Sequence, residues 1–152
     1  MSLAVWRVLA PSTIAYIDIR VFSHATENEK KVMEAVRKIL PPNHSEEVAF
    51  EKHALHGHHG NPIIFFQTRI KDKEILITVI ENLSSHLNTL DKEELRSRIA
   101  EFTEKGSLYL RLNKQAALRG EFKLEQVDPI RIHVRFKNRD LASICKELGI
   151  TT

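Results

Sequence analysis

The chain has 152 residues, of which 42% are hydrophobic and 28% are charged, and its formal net charge is +3. This composition predicts one globular domain over residues 1–152, with residues 1–13 as an N-terminal arm in which residues 1–3 could derive from cloning. The single cysteine excludes an internal disulfide and a cysteine-rich zinc site, and no apolar run reaches the length of a membrane span. We therefore expect a cytoplasmic protein without a membrane partner.

The first predicted elements are a strand and a helix. Residues 14–23 alternate and are rich in β-branched side chains, which is typical of a strand with one buried face. Thr26 then has the properties of a helix N-cap, and Glu29 stands where a capping box places its carboxylate. Pro41 ends that helix because proline cannot continue it.

A hairpin and two helices are predicted next. Residues 48–55 and 63–70 are predicted strands, and the glycine-containing segment 56–62 is the turn between them. Residues 72–86 show apolar spacing typical of a helix capped by Asp72. The following helix starts at Thr89 or Asp91, and Gly106 is predicted as the glycine after its C-terminus.

The last third of the chain predicts three strands, a short helical piece and a final helix. The strands cover residues 107–112, 121–127 and 130–137, and the helical piece covers residues 113–119. The final helix starts at Asn138 and ends at Gly149, with Cys145 on its buried side.

The order of these elements predicts an α+β fold. The order β, α, β, β, α, α, β, β, β, α lacks the regular β-α-β repeat of a doubly wound sheet. We expect a mostly antiparallel mixed sheet with helices packed on one face, which would leave the other face free.

The free face is predicted to be basic. Residues 106–139 contain eight Lys or Arg and three Asp or Glu, whereas the rest of the chain contains fifteen and seventeen. Side chains alternate across a strand, so four polar side chains of the last strand point away from Ile130, Ile132 and their apolar neighbours. The outward side of strand 107–112 and the connection after it add further basic and polar side chains. The predicted RNA-binding residues of these segments are Arg111, Lys114, Gln115, Arg119, Arg131, His133, Arg135 and Lys137.

The residue pattern of this surface is compatible with several roles. Arginine pairs well with phosphate, and Tyr109 could stack on a base. Exposed faces of antiparallel strands are often charged simply because they are solvated, and basic residues protect edge strands from aggregation. A protein interface or an acidic small ligand would also suit the face.

A histidine-rich turn is the second notable pattern. His53, His56, His58 and His59 lie within seven residues, and imidazole is a common metal ligand. Only Glu51 supplies a nearby carboxylate, so a polar turn or a loop that contacts a ligand are alternatives to a metal site. We predict no metal, no cofactor and no catalytic residues, because no phosphate loop, dinucleotide fingerprint or serine elbow is present.

Three stretches resemble motifs of an archaeal RNA-binding protein family, which is described as a predicted exosome subunit with a double-stranded-RNA-binding-like fold similar to a large-subunit ribosomal protein. The stretches are a turn containing Gly57, His58, His59, Gly60 and Asn61, a segment Leu110-Arg111-Leu112-Asn113-Lys114-Gln115-Ala116-Ala117, and the segment Asp128-Pro129-Ile130-Arg131. The family pattern has an acidic residue where Asn113 stands.

The resemblance implies a ribosomal-protein-like fold and an RNA-binding activity without catalysis. We therefore predict a module for structured or double-stranded RNA, with RNA as partner and with a further protein partner from RNA-processing or RNA-degrading machinery. The alternatives are a protein-interaction domain or homo-oligomer without a nucleic-acid role, and a metal-dependent enzyme at the histidine turn.

Overall fold

A computed structural model describes residues 14–43, 45–57 and 60–137 of the chain. In these ranges the elements are β1 (Ile14–His24), α1 (Glu29–Arg37), β2 (Glu51–His56), β3 (Pro62–Ile70), α2 (Lys73–His86), α3 (Thr89–Ser97), α4 (Ile99–Phe102), β4 (Thr103–Glu104), β5 (Ser107–Leu112), α5 (Lys114–Leu118) and β6 (Ile130–Phe136). The predicted α+β class is confirmed. None of these helices is long and apolar enough to cross a bilayer.

The six strands form one sheet in the order β2-β3-β1-β6-β5-β4, and every neighbouring pair is antiparallel. The first and last strands of the described chain, β1 and β6, therefore lie side by side at the centre. β2 and the two-residue β4 are the edge strands. The predicted antiparallel sheet is confirmed, and its order brings together residues more than 100 positions apart.

The core lies between the sheet and helices α1 and α2. Alternate side chains of the central strands, including Ile17, Ile19 and Val134, are fully buried there. From the helices, Val36 and Val79 complete the same cluster. This packing fixes which face of each strand is turned inward, because a shift by one residue would expose the whole apolar set.

The helix starts are set by side-chain caps, and one cap differs from the prediction. Asp72 caps α2 as predicted, since its Oδ1 accepts from Ile75 N at 3.1 Å. The cap of α1 is Asn28 rather than Thr26, because Asn28 Oδ1 accepts from the backbone of Lys30 and Lys31.

Gly106 was predicted to follow the C-terminus of a helix, but it lies in a hairpin turn. Helix α3 ends at Ser97, and the single-turn α4 is followed by the hairpin β4–β5. Lys105 and Gly106 form its two-residue turn, with φ of 48° and 83°. Two consecutive positive φ values define a type I′ turn, which is why glycine stands here.

Two predicted strands are shorter or absent. The strand expected over residues 48–55 begins at Glu51 and ends at His56; before it, the carbonyls of Val48 and Ala49 accept from the side chains of Arg37 and Thr68 and not from the backbone of a strand neighbour. The segment 121–127 has only isolated bridges, from Phe122 to Leu87 and from Leu124 to Leu112. The amide of Leu124 donates to the side chain of Asp91 at 3.0 Å, so a side chain replaces the strand neighbour that this amide would otherwise need. The predicted final helix and Cys145 lie outside the described residues.

Candidate nucleic-acid interface

The sheet face opposite α1 and α2, here called the open face, is organised in rows that run across the strands. Residues directly opposite each other in an antiparallel pair share a face. The register places Arg111 opposite Arg131, Arg131 opposite Arg20, and Arg20 opposite Gln67. These three arginines, from β5, β6 and β1, are called the arginine row.

The arginine row is exposed and only weakly paired within the protein. Arg20, Arg111 and Arg131 are all exposed. Within the described ranges, Arg20 has an ion-pair partner only in Asp18, at 3.9 Å, and Arg111 and Arg131 form no ion pair. Like charges directly opposite in a sheet are destabilising. An anion that bridges them would remove that cost, so the row is suited to phosphate.

A second row lies next to the arginines and is neutralised internally. Asp18 is buried on the open face and accepts two hydrogen bonds from Arg69, at 2.8 Å from Nε and 3.0 Å from Nη2. The Arg69 guanidinium also lies over the ring of Tyr16, with 4.0 Å between its Cζ and the ring centroid. Arg69 is therefore fixed by Asp18 and Tyr16, whereas the arginine row is not fixed in this way.

His133 belongs to the same internally bonded row. Its ring stacks on Tyr109, with centroids 4.7 Å apart and an interplanar angle of 11°, and its Nε2 lies 2.8 Å from Ser107 Oγ. Burial lowers the pKa of His133, the nearby Asp18 raises it, and Arg20 and Arg135 lower it again, so the net pKa lies below the usual range. His133 is therefore expected to be neutral at pH 7 and to hold Tyr109 in place.

Arg135 and Lys137 complete the predicted residues of the last strand. Arg135 Nη1 donates to Lys105 O at 2.8 Å and to Ser107 Oγ at 3.1 Å. This arginine therefore fastens the β4–β5 turn to β6. Lys137 is exposed and follows the last residue of β6.

Lys114 lies away from the open face, in a buried network. Its Nζ donates to Phe22 O at 2.6 Å, to Glu27 Oε1 at 3.0 Å and to Asp128 Oδ2 at 2.9 Å. Burial raises the pKa of Asp128, but the hydrogen bonds from Lys114 and His24 lower it more, and the net pKa is below the usual range. The ammonium thus joins β1, the β1–α1 turn, α5 and the turn before β6.

The same network includes a group of residues with metal-ligating atoms. His24, Glu27 and Asp128 have ligand atoms within 4.8 Å of one another. His24 Nε2 is 3.0 Å from Asp128 Oδ1, and the Lys114 ammonium bridges the two carboxylates. The two carboxylates of this group therefore already share a cation supplied by the protein.

Gln115 and Arg119 also belong to the helix side of the molecule. Both are exposed residues on or next to α5, which packs against α1. Gln115 lines a groove with Lys31 of α1, and Arg119 Nη2 lies 3.8 Å from Glu121 Oε2. The predicted RNA-binding residues thus separate into an open-face group and an α5 group.

The histidine turn is held by its own backbone. Gly57 N donates to Asn61 O at 2.7 Å, and Gly60 N donates to Gly57 O at 2.9 Å. Gly60 has a φ of 77°, which a residue with a side chain rarely adopts. His58 and His59 lie outside the described residues, so the roles predicted for them stay predictions.

A third row on the open face, here called the aromatic row, was not predicted from the sequence. Phe22 of β1 lies opposite Phe65 of β3, and Phe65 lies opposite His53 of β2. The ring centroids are 5.0 Å apart for the first pair and 6.2 Å for the second. Alternation in β1 could have placed Phe22 and Arg20 outward, but only the strand order puts them beside Arg131.

Comparisons with known proteins relate the chain to a described family. A family model described as RNA binding matches residues 16–137. RNA-binding protein PAB1135 of Pyrococcus abyssi is 37% identical over 123 residues, which are 80% of this chain and 79% of that protein. Protein MJ0213 of Methanocaldococcus jannaschii is 31% identical over 121 residues, 75% of this chain and 78% of that protein. The solved structure of Mth689, a DUF54 protein from Methanothermobacter thermautotrophicus, is 29% identical with a TM-score of 0.72, and the match covers 90% of this chain and 98% of that one.

Proposed function

The chain belongs to the RNA-binding family, and from this premise we propose that it binds RNA through the open face of its sheet. The observation that carries the proposal is the arginine row. Three exposed arginines from three neighbouring strands stand directly opposite one another, and two of them have no ion-pair partner among the described residues.

The chemistry of arginine suits this role. The guanidinium of arginine is always charged in proteins, and its planar fork can bind two phosphate oxygens at once. Neighbouring strands in a sheet are about 4.8 Å apart, so the row forms a strip of positive charge about 10 Å long. Such a strip can follow a phosphate backbone without contacting base edges.

We propose that structured or double-stranded RNA is the preferred partner. Contacts to phosphates and 2′-hydroxyls read the shape of an RNA helix rather than its sequence. Tyr109, held by its stacking on His133, stands beside Arg111 and offers a ring to a base at the end of such a helix. A binding module of this kind would act in RNA processing or degradation by holding the RNA while other proteins catalyse the reaction.

The test is a fluorescence-anisotropy titration with duplex RNA, single-stranded RNA and duplex DNA at two salt concentrations. The double variant Arg111→Glu, Arg131→Glu should bind duplex RNA at least about tenfold more weakly than the wild type, because it reverses two charges of the arginine row. The matched control is Lys30→Glu, Lys73→Glu, which makes the same change of net charge at the exposed first turns of α1 and α2. Glutamate is well tolerated there because it stabilises the positive end of a helix.

The control separates a site from a general charge effect. Equal loss of binding in both double variants would mean that net charge, and not the arginine row, governs binding. Unchanged binding in the Arg111, Arg131 variant would move the site away from the open face, and the exposed Gln115 and Arg119 beside α5 would be tested next.

A further inference from the structure

Two phenylalanines of the open face lie outside the core that the described residues form. Phe22 and Phe65 are half-buried, yet they belong neither to the buried core cluster nor to the described side chains packed against it. Their rings instead contact each other, with centroids 5.0 Å apart and an interplanar angle of 34°. The part of such a ring pair that stays exposed is costly in water, and a contiguous apolar patch commonly marks a binding site.

The aromatic row continues across the sheet and meets an arginine. On one side, the ring of His53 packs against Phe65 at an interplanar angle of 29°. On the other side, the Arg131 guanidinium lies 6.0 Å from the centroid of Phe22. A planar cation and three rings therefore follow one another across β6, β1, β3 and β2.

The spacing between the two rows suits a nucleotide. Phe22 is two residues from Arg20 along β1, and Phe65 is two residues from Gln67 along β3. Two residues of a strand span about 7 Å, a distance comparable with that from a phosphate to its own base. A phosphate bound at Arg20 or Arg131 could thus place its base over Phe22 and Phe65.

The local charges favour a nucleotide over an acidic protein partner on this patch. Glu51 of β2 lies opposite Gln67, beyond the β1 end of the arginine row, and is bonded to Gln67 at 2.9 Å and to His53 at 3.3 Å. The arginine row lies on β5, β6 and β1, whereas the aromatic row lies on β1, β3 and β2. A phosphate backbone with bases on one side has the same arrangement.

We propose that the aromatic row stacks an unpaired base of the RNA whose phosphates lie on the arginine row. The preferred substrate class is then an RNA duplex with unpaired nucleotides next to it. Bases inside a duplex are covered by their neighbours, whereas an unpaired base can leave the helix and stack on protein rings. This inference rests on the proposed RNA binding and names the form of RNA that the site takes.

The experiment compares a blunt RNA duplex with the same duplex carrying a short single-stranded extension, with 2-aminopurine as the first unpaired base. For the wild type, the extended RNA should bind more tightly than the blunt RNA, and the fluorescence of 2-aminopurine should change on binding as the base stacks. Phe65→Leu keeps an apolar side chain but loses the ring. It should weaken binding of the extended RNA by about fivefold and leave binding of the blunt RNA unchanged.

The matched control is Phe50→Leu. Phe50 is also half-buried, but it packs against the core and lies under the Arg37 guanidinium. This variant should bind both RNAs like the wild type, which separates the loss of stacking from a general loss of stability.

The outcomes distinguish this inference from the proposed function. Equal affinity of the wild type for both RNAs, with no fluorescence change and no effect of Phe65→Leu, would overturn the inference while RNA binding stands. Failure of the wild type to bind any RNA at low salt would overturn both. A change of oligomeric state in Phe65→Leu, with RNA binding intact, would identify the patch as a contact between proteins and would also overturn the inference.

Discussion

Lys114 shows that a lysine within a basic segment can support the fold rather than a ligand. Its side chain is only 8% exposed, and oxygens of three residues accept hydrogen bonds from its ammonium. Lys114→Met should lower the free energy of unfolding by about 2 kcal/mol, because Glu27, Asp128 and the Phe22 carbonyl would lose their common donor. Urea unfolding measures this change.

The control for this variant is Lys123→Met. Lys123 is exposed, and its Nζ lies 3.7 Å from Glu121, so its removal should change stability by less than about 0.5 kcal/mol. If Lys114→Met retained wild-type stability but bound RNA more weakly, Lys114 would be an RNA contact, as its sequence motif suggested.

His133 gives the protein a pH-dependent stability. Its pKa in the folded protein lies below the value of about 6.5 in an unfolded chain. At pH values between these two pKa values, His133 is protonated in the unfolded chain and neutral in the folded protein. The free energy of unfolding should therefore fall as the pH is lowered through 6.5, and the fall should stop below the pKa of the folded state.

Urea unfolding at several pH values between about 7.5 and 5 tests this expectation. His133→Gln should remove this part of the pH dependence, whereas His56→Gln, which replaces an exposed histidine of the edge strand β2, should retain it. A wild-type stability that rises as the pH is lowered through 6.5 would show that Asp18 outweighs burial at His133.

Single residues also show how far the sequence could predict the site. Alternation in the last strand correctly placed Arg131 and His133 opposite the buried face, because an antiparallel strand with one apolar side admits only one orientation. It could not show that His133 is bonded to Ser107 or that Lys114 is buried. Both facts depend on contacts between segments that are distant in sequence.

Among the elements, the hairpin β4–β5 depends most clearly on two turn residues. Lys105 has a φ of 48°, a conformation that asparagine tolerates better than lysine. Lys105→Asn should raise the free energy of unfolding by about 0.5 kcal/mol, because asparagine is favoured before glycine in a type I′ turn. Gly106→Ala should lower it by about 1 kcal/mol, since Gly106 has a φ of 83°. Thermal unfolding of the two variants should show melting temperatures shifted in opposite directions.

The edge strand β2 should be the least protected strand of the sheet. All six of its residues are exposed, and among the described strands it pairs only with β3, whereas the central β1 pairs with both β3 and β6. Amide hydrogens of β2 should therefore exchange at least about tenfold faster than those of β1 in native-state hydrogen exchange. Equal protection of the two strands would mean that β2 opens only when the whole sheet unfolds.

At the level of elements, the sequence predicted what is local. The strand over residues 107–112 and the helix after Asp72 follow from alternation, apolar spacing and a cap, which are properties of neighbouring residues. The hairpin at Lys105 was missed because neither Lys105 nor the two-residue β4 has a strong turn or strand signal. The segment 121–127 was predicted as a strand because Phe122 and Leu124 are alternate apolar residues. Both side chains do face inward, but the segment forms only isolated bridges.

For the whole molecule, the charge of the open face should determine how binding depends on salt. Each phosphate contact that is lost reduces the slope of log affinity against log salt by about 0.7 to 0.9. The double variant Arg111→Gln, Arg131→Gln should therefore reduce this slope by about 1.5 relative to the wild type. An anisotropy titration over several salt concentrations measures it, and an unchanged slope would mean that these arginines do not contact phosphate.

The pairing of β1 with β6 has a consequence for synthesis of the protein. The arginine row takes Arg20 from one end of the described chain and Arg111 and Arg131 from the other, and only the β1–β6 ladder brings them together. While the ribosome is still translating, Arg20 is present without its neighbours until the codons for β6 have been read and that strand has left the exit tunnel. We therefore expect nascent chains not to bind the surrounding RNA. They should acquire affinity for RNA only when β6 has paired with β1 and the sheet is complete.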